Sequence, residues 1–168
     1  VDNDATAALA DRDGAQAEIS LDDLDRKILQ ELQDDGRRAF RDIARTLQVS
    51  EATVRGRVKR LRDTGVLQIL GYVDPAAYGY GTMVVLLVKA SPAAHSRAVA
   101  EFTAWPETTW VSTTIGRSNI YVQMLCKDSD SLYALLTSRL GDVDGIVDVD
   151  VIQEVKVHKA EYHYSRLS

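Results

Sequence analysis

The chain has one cysteine, three prolines and two phenylalanines in 168 residues, and no long apolar run. A single thiol, Cys126, cannot build an internal disulfide framework, which fits a reducing cytoplasm. The longest uncharged apolar stretch runs from Met83 to Val88, far short of the roughly 18 residues that suggest a membrane helix. No membrane partner is expected. The N-terminus, VDNDATAALADRDGAQAE, is acidic and polar where a secretory signal carries basic residues before an apolar core, so no signal is expected. Neither a glycine-rich phosphate loop nor a catalytic triad can be drawn. The expectation is a protein that is not an enzyme and holds no cofactor.

What is present is the composition of a folded protein, 45% hydrophobic and 27% charged. The net charge of -5 hides a strong local imbalance. Residues 1–35 sum to -8, whereas residues 36–65 hold nine cations against Asp42, Glu51 and Asp63 and sum to +6. To a polyanionic partner this local sign matters more than the total.

Residues 1–18 lack an apolar period and read as a flexible acidic tail. Order is expected from SLDDLDRKILQELQDD, with Ser20 as N-cap and Leu21, Leu24, Ile28, Leu29 and Leu32 on one stripe. A short second helix follows from Phe40, Ile43, Ala44 and Leu47, closed by the tight connection QVS. Ser50 then caps a third helix in the stretch VSEATVRGRVKRLRDTG, which Gly65 ends. Val54, Val58 and Leu61 form its narrow apolar seam. Opposite the seam lie Ala52 and Gly56, flanked by Thr53, Arg55, Lys59 and Arg60. The following VLQILGYVD is β-prone and predicts a short hairpin, or wing, against the helices.

From residue 81 the periodicity changes. GTMVVLLVKA predicts a buried strand, and PAAHSRAVAEFTAW a helix with Pro92 in its first turn. TTWVSTTIG and NIYVQMLCKD predict two strands joined across Gly116, Arg117 and Ser118. SDSLYALLTSRLG predicts a helix stopped by Gly141. In GIVDVDVIQEVKVH, residues Val147, Val149, Val151, Val155 and Val157 are expected on one face of a last strand. The order is βαββαβ, the ferredoxin-like arrangement. The fold class is α+β: a winged helix-turn-helix over 19–72, a linker over 73–80, a ferredoxin-like unit over 81–158 and a C-terminal tail over 159–168.

Two short helices, a tight turn and a capped cationic helix match the helix-turn-helix plan, in which the second helix of the pair enters the major groove of double-stranded DNA. Small residues at the centre of the exposed face let the helix axis approach base edges, and surrounding cations reach phosphates and guanine acceptors. Glycine at position 56 costs about 1 kcal/mol of helix propensity relative to alanine. That cost makes sense if a Cβ there would hold DNA away. The candidate DNA-binding set is Arg38, Ser50, Thr53, Arg55, Gly56, Arg57, Lys59 and Arg60.

The run Leu24-Asp25-Arg26-Lys27-Ile28-Leu29, then Asp35-Gly36-Arg37, Ile43-Ala44, Val49-Ser50, Val54, Arg57-Val58, Leu61 and Gly65-Val66-Leu67 resembles the leucine-responsive/asparagine-operon regulators, the Lrp/AsnC family. Pro106-Glu107, Gly116-Arg117-Ser118-Asn119, Asp128 with Leu132, and Gly145-Ile146 continue the resemblance to about residue 158. It implies a prokaryotic transcription regulator whose C-terminal domain senses an amino acid or related metabolite. It also implies a homo-oligomer, in which dimers assemble further into tetramers or octamers. The effector site implied is Ile115, Gly116, Arg117, Ser118 and Asn119. Where the family often has an aspartate, this chain has Asn119, and Ser118 replaces a commonly aromatic residue. Asparagine cannot supply the charge that would pair with a ligand ammonium group.

Two rival readings share these motifs: an architectural DNA-binding protein without ligand response, and a metabolite-sensing subunit of an enzyme complex. Metal chemistry is weakly signalled. His158, Glu161 and His163 lack the spacing of a zinc-binding helical pair, and Asp142-Val143-Asp144-Gly145 places glycine too early for a calcium loop, so no metal is expected. Cys126 is expected as a packed or idle thiol, and Trp105 and Trp110 as residues that pack rather than stack a ligand.

Overall fold

The computed structural model describes residues 20–159, which divide into two compact units between Gly71 and Tyr72. The expected tail at 1–18, and all of the one at 159–168 but Lys159, lie outside the described residues, as do Glu161 and His163.

The first unit consists of helices α1 (Asp23–Asp34), α2 (Phe40–Leu47) and α3 (Glu51–Asp63). The N-cap of α1 is Asp22 rather than Ser20: its carboxylate accepts from Asp25 N at 2.8 Å while Asp25 Oδ2 accepts from Asp22 N at 3.2 Å. This reciprocal capping box satisfies two donors at once, which a lone serine two positions earlier cannot do. Gln48 takes a left-handed conformation (φ 56°) between α2 and α3, and Ser50 caps α3 by accepting from Thr53 N at 3.0 Å. Val54, Val58 and Leu61 are buried against Ile28, Leu32, Ile43 and Ala44, so the expected seam is the side of α3 that the core holds. The expected wing is not built as a hairpin. Residues 66–74 contain no strand, and their one buried residue, Leu67, bonds back to Leu61 O at 2.9 Å.

The second unit starts with a 3₁₀ turn (Pro75–Tyr78), followed by β1 (Thr82–Ala90), α4 (His95–Ala104), β2 (Thr108–Thr113), β3 (Ile120–Cys126), α5 (Ser129–Ser138) and β4 (Ile146–Glu154). The strands form an antiparallel sheet in the order β2-β3-β1-β4. Val84, Leu86 and Val88 on β1 and Ile120, Val122 and Met124 on β3 point to the helix-covered side, where Ala98, Phe102, Leu132 and Leu135 meet them. The apolar run of β1 is therefore buried on one face only. Met83, Val85 and Leu87 sit half-buried on the other, with Tyr121 and Leu125 of β3.

Several boundaries differ from the expected ones. Helix α4 starts at His95, because Ser91–Ala94 is already closed as a turn by Ala94 N donating to Ser91 O at 3.0 Å. Gly141 lies inside a second 3₁₀ turn (Leu140–Asp142) and α5 stops earlier, at Ser138. The valine alternation in the last strand also fails. The register shifts between Lys89 and Ala90, so that Val147 opposes no residue of β1, and the strand ends at Glu154, before Val155 and Val157.

The glycine that the second unit depends on is Gly145, which turns the chain into β4 with φ 76°. A Cβ built there would lie 2.3 Å from the Ala94 Cβ and 3.1 Å from Ser91 Oγ, and the Gly145 carbonyl accepts from Ser91 N at 2.9 Å. An alanine methyl offers no flexible end to move aside. Gly145→Ala should lower stability by about 2–4 kcal/mol, combining steric overlap with a disfavoured backbone conformation. Gly141→Ala, with open space around it, should change it by about 0.5 kcal/mol or less. Denaturant unfolding of the full chain, followed by the fluorescence of Trp105 and Trp110, distinguishes the two; equal midpoints would reject the assignment.

Candidate nucleic-acid interface and effector loop

The outer face of α3 is determined by its inner one. With Val54, Val58 and Leu61 in the core, helical geometry leaves Ala52, Thr53, Arg55, Gly56, Lys59 and Arg60 exposed and Arg57 half-exposed. Beyond the backbone of α3 itself and the neighbouring residues, nothing among the described residues lies within 4 Å of the position a Gly56 Cβ would take, so packing does not require glycine there. Ser50 stands at the helix start, its Oγ 2.8 Å from Thr53 Oγ1.

The cations fall into two groups by partner. Arg55 and Lys59 pair within the helix: Arg55 Nη2 lies 2.6 Å from Glu51 Oε1, with its guanidinium 5.5 Å from the Phe40 ring centroid, and Lys59 bonds Asp63. Such exposed i,i+4 pairs are worth only about 0.3–0.5 kcal/mol and are readily given up. Arg57 and Arg60 instead reach back to α1. Arg57 Nη1 bonds Asp22 and donates to Asp25 Oδ1 at 3.1 Å, while Arg60 Nη2 bonds Asp25 Oδ2. Arg38, outside α3, pairs with Glu31 and donates to Thr46 Oγ1 at 3.1 Å.

Thr53, Gly56, Arg57 and Arg60 thus line one open groove together with Ala52 and Asp22. Arg55 and Lys59 are not among its lining residues. Asp22 and Asp25 are site residues that sequence reasoning did not single out. The Asp-x-x-Asp spacing signals a capping box, yet nothing in the linear chain signals arginines 32 and 35 positions away.

Asp25 is fully buried. Burial pushes its carboxyl up, but the hydrogen bonds from Arg60 and Arg57 and from the Asp22 amide outweigh that and hold it below the usual carboxylate value. Asp22 is lowered from 3.8 to about 2, first by its hydrogen bond from Arg57 and then by the Asp25 amide. Both residues are carboxylates at neutral pH.

In the second unit, the β2–β3 connection is closed by Thr114 N donating to Asn119 O at 3.0 Å and Thr114 Oγ1 donating to Ser118 O at 2.9 Å. Ile115 and Arg117 are exposed, Ser118 and Asn119 half-buried, and Gly116 has φ 151°. The Asn119 amide, which could have offered a donor and an acceptor to a ligand, is occupied at both ends by Ala90: Oδ1 accepts from Ala90 N at 2.9 Å and Nδ2 donates to Ala90 O at 2.8 Å. An aspartate could make only the first bond and would set a carboxylate oxygen against the Ala90 carbonyl. Asparagine here therefore has a structural reason. His95 Nε2 lies 3.2 Å from the Asn119 carbonyl oxygen, which can only accept, so Nε2 is the donor.

Other candidate chemistry is tied up locally. Asp144 pairs with Arg97 at 3.5 Å, and Cys126 is buried at the end of β3, where burial first, then Glu107 and Asp128, push its thiol up. Trp105 packs edge-on against Phe102 as expected, whereas Trp110, expected to pack, is exposed. Among the described residues no three His, Cys, Asp or Glu side chains group as metal ligands, and no helix is long and apolar enough to cross a membrane.

Two family models match. Residues 21–62 fit the AsnC-type helix-turn-helix domain, and residues 83–162 the Lrp/AsnC ligand binding domain. The HTH-type transcriptional regulator FL11 of Pyrococcus furiosus is 32% identical over 140 residues, covering 83% of this chain and 92% of its own. The regulatory protein AsnC of Escherichia coli K12 is 27% identical over 135 residues, covering 79% and 88%. Solved structures share the fold: E. coli AsnC (TM-score 0.79, 23% identity, 85% of this chain and 97% of that one) and a Neisseria meningitidis transcriptional regulator in complex with L-Met (TM-score 0.76, 23% identity, 84% and 94%). A helix-turn-helix joined to a ligand-binding α+β domain makes this a DNA-binding transcriptional regulator, not an enzyme. The chain belongs to the Lrp/AsnC family.

The carboxylate network makes a stability prediction. Asp25→Ala leaves two guanidinium groups without their buried partner, which costs about 3–5 kcal/mol when both members of a pair are buried. Arg57 and Arg60 stay partly in water, so the expected loss is about 2 kcal/mol. The contribution from Asp22, whose pKa is depressed on folding, is full above its ordinary value of 3.8 and is lost as pH falls toward about 2. Acid titration of helix content should show a fall in that window that Asp22→Ala reduces; an unchanged profile, or full stability in Asp25→Ala, would contradict the network's role.

Proposed function

We propose that the chain is a sequence-specific regulator whose α3 lies in the major groove, whose second unit assembles it into a homo-oligomer, and whose DNA binding responds to an amino acid or related metabolite. The observation that carries this reading is the outer face of α3, with clear space over Gly56 and Arg55, Lys59, Arg57 and Arg60 around it. A recognition helix needs that combination, because base edges are reached only by close approach and phosphates only by cations at the margins. In a dimer, two such helices would meet half-sites about 34–36 Å apart or a multiple of that. The place of action is the cytoplasm, where prokaryotic DNA lies.

Assembly is supported by the side of the sheet that α4 and α5 do not cover. Met83, Val85, Leu87, Tyr121 and Leu125 are half-buried there beside exposed Trp110 and Ile152. An apolar sheet face of this kind calls for cover. Sedimentation of the full chain at micromolar concentration reads this directly, and a monomer would count against it.

Ligand sensing is supported by the family of the second unit and by the L-Met complex of a protein with the same fold. The part of the hairpin left to meet a ligand is Ile115 to Ser118, where Gly116 permits close approach and Arg117 supplies a cation for a carboxylate. The engagement of Asn119 with Ala90 also favours a second reading, an architectural protein whose second unit only assembles.

Replacing Arg55 or Lys59 by alanine should weaken binding to a promoter fragment without unfolding the chain. The slope of log affinity against log salt should fall by about 0.9 for each phosphate that the variant no longer neutralises. Parent-like affinity and slope in both variants would reject the face. A thermal-shift screen of amino acids and their catabolites should give a compound that raises the melting temperature and alters DNA binding. Gly116→Val should abolish both effects while sparing DNA binding itself. No stabilising compound at all would favour the architectural reading.

A further inference from the structure

Asp22 and Asp25 hold the same arginine but are not equivalent. The Asp22 side chain is 53% exposed and that of Asp25 is 1% exposed. Asp25 is enclosed by Arg57, Arg60 and the Asp22 amide, whereas Asp22 stands at the open wall of the groove lined by Ala52, Thr53, Gly56, Arg57 and Arg60. That groove lies on the face of α3 that the proposed function turns to DNA, and the inference rests on that reading.

A carboxylate on an arginine at the mouth of such a groove occupies the position that a phosphodiester oxygen would take, since both are anionic acceptors for the same guanidinium N–H groups. We propose that the groove between the start of α1 and the outer face of α3 is a phosphodiester-binding site in which a DNA phosphate replaces the Asp22 carboxylate on Arg57, while Asp25 keeps Arg57 and Arg60 aimed at the phosphate. Asp22 is then the displaceable occupant and Asp25 the positioning residue. The division follows from exposure: water compensates the released Asp22 carboxylate, whereas releasing Asp25 would strand a buried charge. The low pKa of Asp22, about 2, keeps the occupant anionic, so it competes with DNA throughout the neutral range. The open space over Gly56 lets a duplex come close, so that a phosphate at the margin reaches Arg57 and Arg60.

The test is a double-mutant cycle on the full chain with a mixed-sequence DNA duplex, whose phosphates serve without knowledge of the operator. Asp22→Asn and Asp22→Ser both keep a good N-cap for α1, so the helix is retained. Each should bind about two- to fivefold tighter than the parent, the range set by an exposed ion pair. Arg57→Gln should bind more weakly and lower the salt slope by about 0.9. In the Arg57→Gln background the gain from Asp22→Asn should disappear. If the gain persists there, Asp22 acts only by long-range repulsion and the exchange is wrong; if neither Asp22 variant binds tighter, it is wrong as well. Failure of the underlying reading looks different: Arg55→Ala, Lys59→Ala and Arg57→Gln would then all bind DNA like the parent.

Discussion

A fully buried carboxylate, Asp25, sets the geometry of the helical unit. It belongs to α1 by its capping box and to α3 by Arg57 and Arg60, so one side chain ties the start of the first helix to the outer half of the last. The apolar seam of α3 determines which face is inward. The carboxylate adds what an apolar contact cannot, a directional restraint on two cations that a hydrophobic core would leave free to rotate. Burial of a charge is tolerable because the partners are cationic, forked and still partly hydrated.

This arrangement also makes sense of the charge distribution. An acidic segment precedes a basic one, and two of its carboxylates, Asp22 and Asp25, pair with Arg57 and Arg60 of α3. Arg57 and Arg60 are thereby oriented by long-range partners. Arg55 and Lys59, with Glu51 and Asp63 one turn away, keep the conformational freedom of exposed side chains. Two fixed and two adaptable cations around a glycine suit a surface that must first find a polyanion and then seat on it in one register.

How far the sequence could be read depended on the range of the interaction concerned. The α3 cap at Ser50, the seam of Val54, Val58 and Leu61, and the βαββαβ order all rest on local periodicity and were legible. Ser20 lost the cap of α1 to Asp22 because Asp25, three residues on, completes a reciprocal box. The wing failed for a tertiary reason: Leu67 is drawn into the helical core and its amide into a bond to Leu61, so the β-prone residues after it have no partner strand among the described residues. The last strand was misjudged at Val147, where a register shift against β1 breaks the alternation. The candidate DNA-facing residues were legible as types on a wheel, but their partners were not. An ion pair across 35 positions leaves no mark in a helical period.

The same contrast of range explains the β2–β3 hairpin. Asn119 reads locally as a polar residue in a turn, free to meet a ligand, yet its amide closes the end of β1 through Ala90, and Ala90 is where β1 shifts register against β4. The next residue, Ser91, bonds the Gly145 carbonyl, and His95 at the start of α4 reaches the Asn119 carbonyl. The base of the hairpin, the start of α4 and the turn into β4 therefore meet at one end of the sheet. A molecule held by Ile115 to Ser118 would rest on a base that three elements hold in place. The loop can then be short, because the strand ends and the helix, more than the turn itself, fix where Gly116 and Arg117 stand.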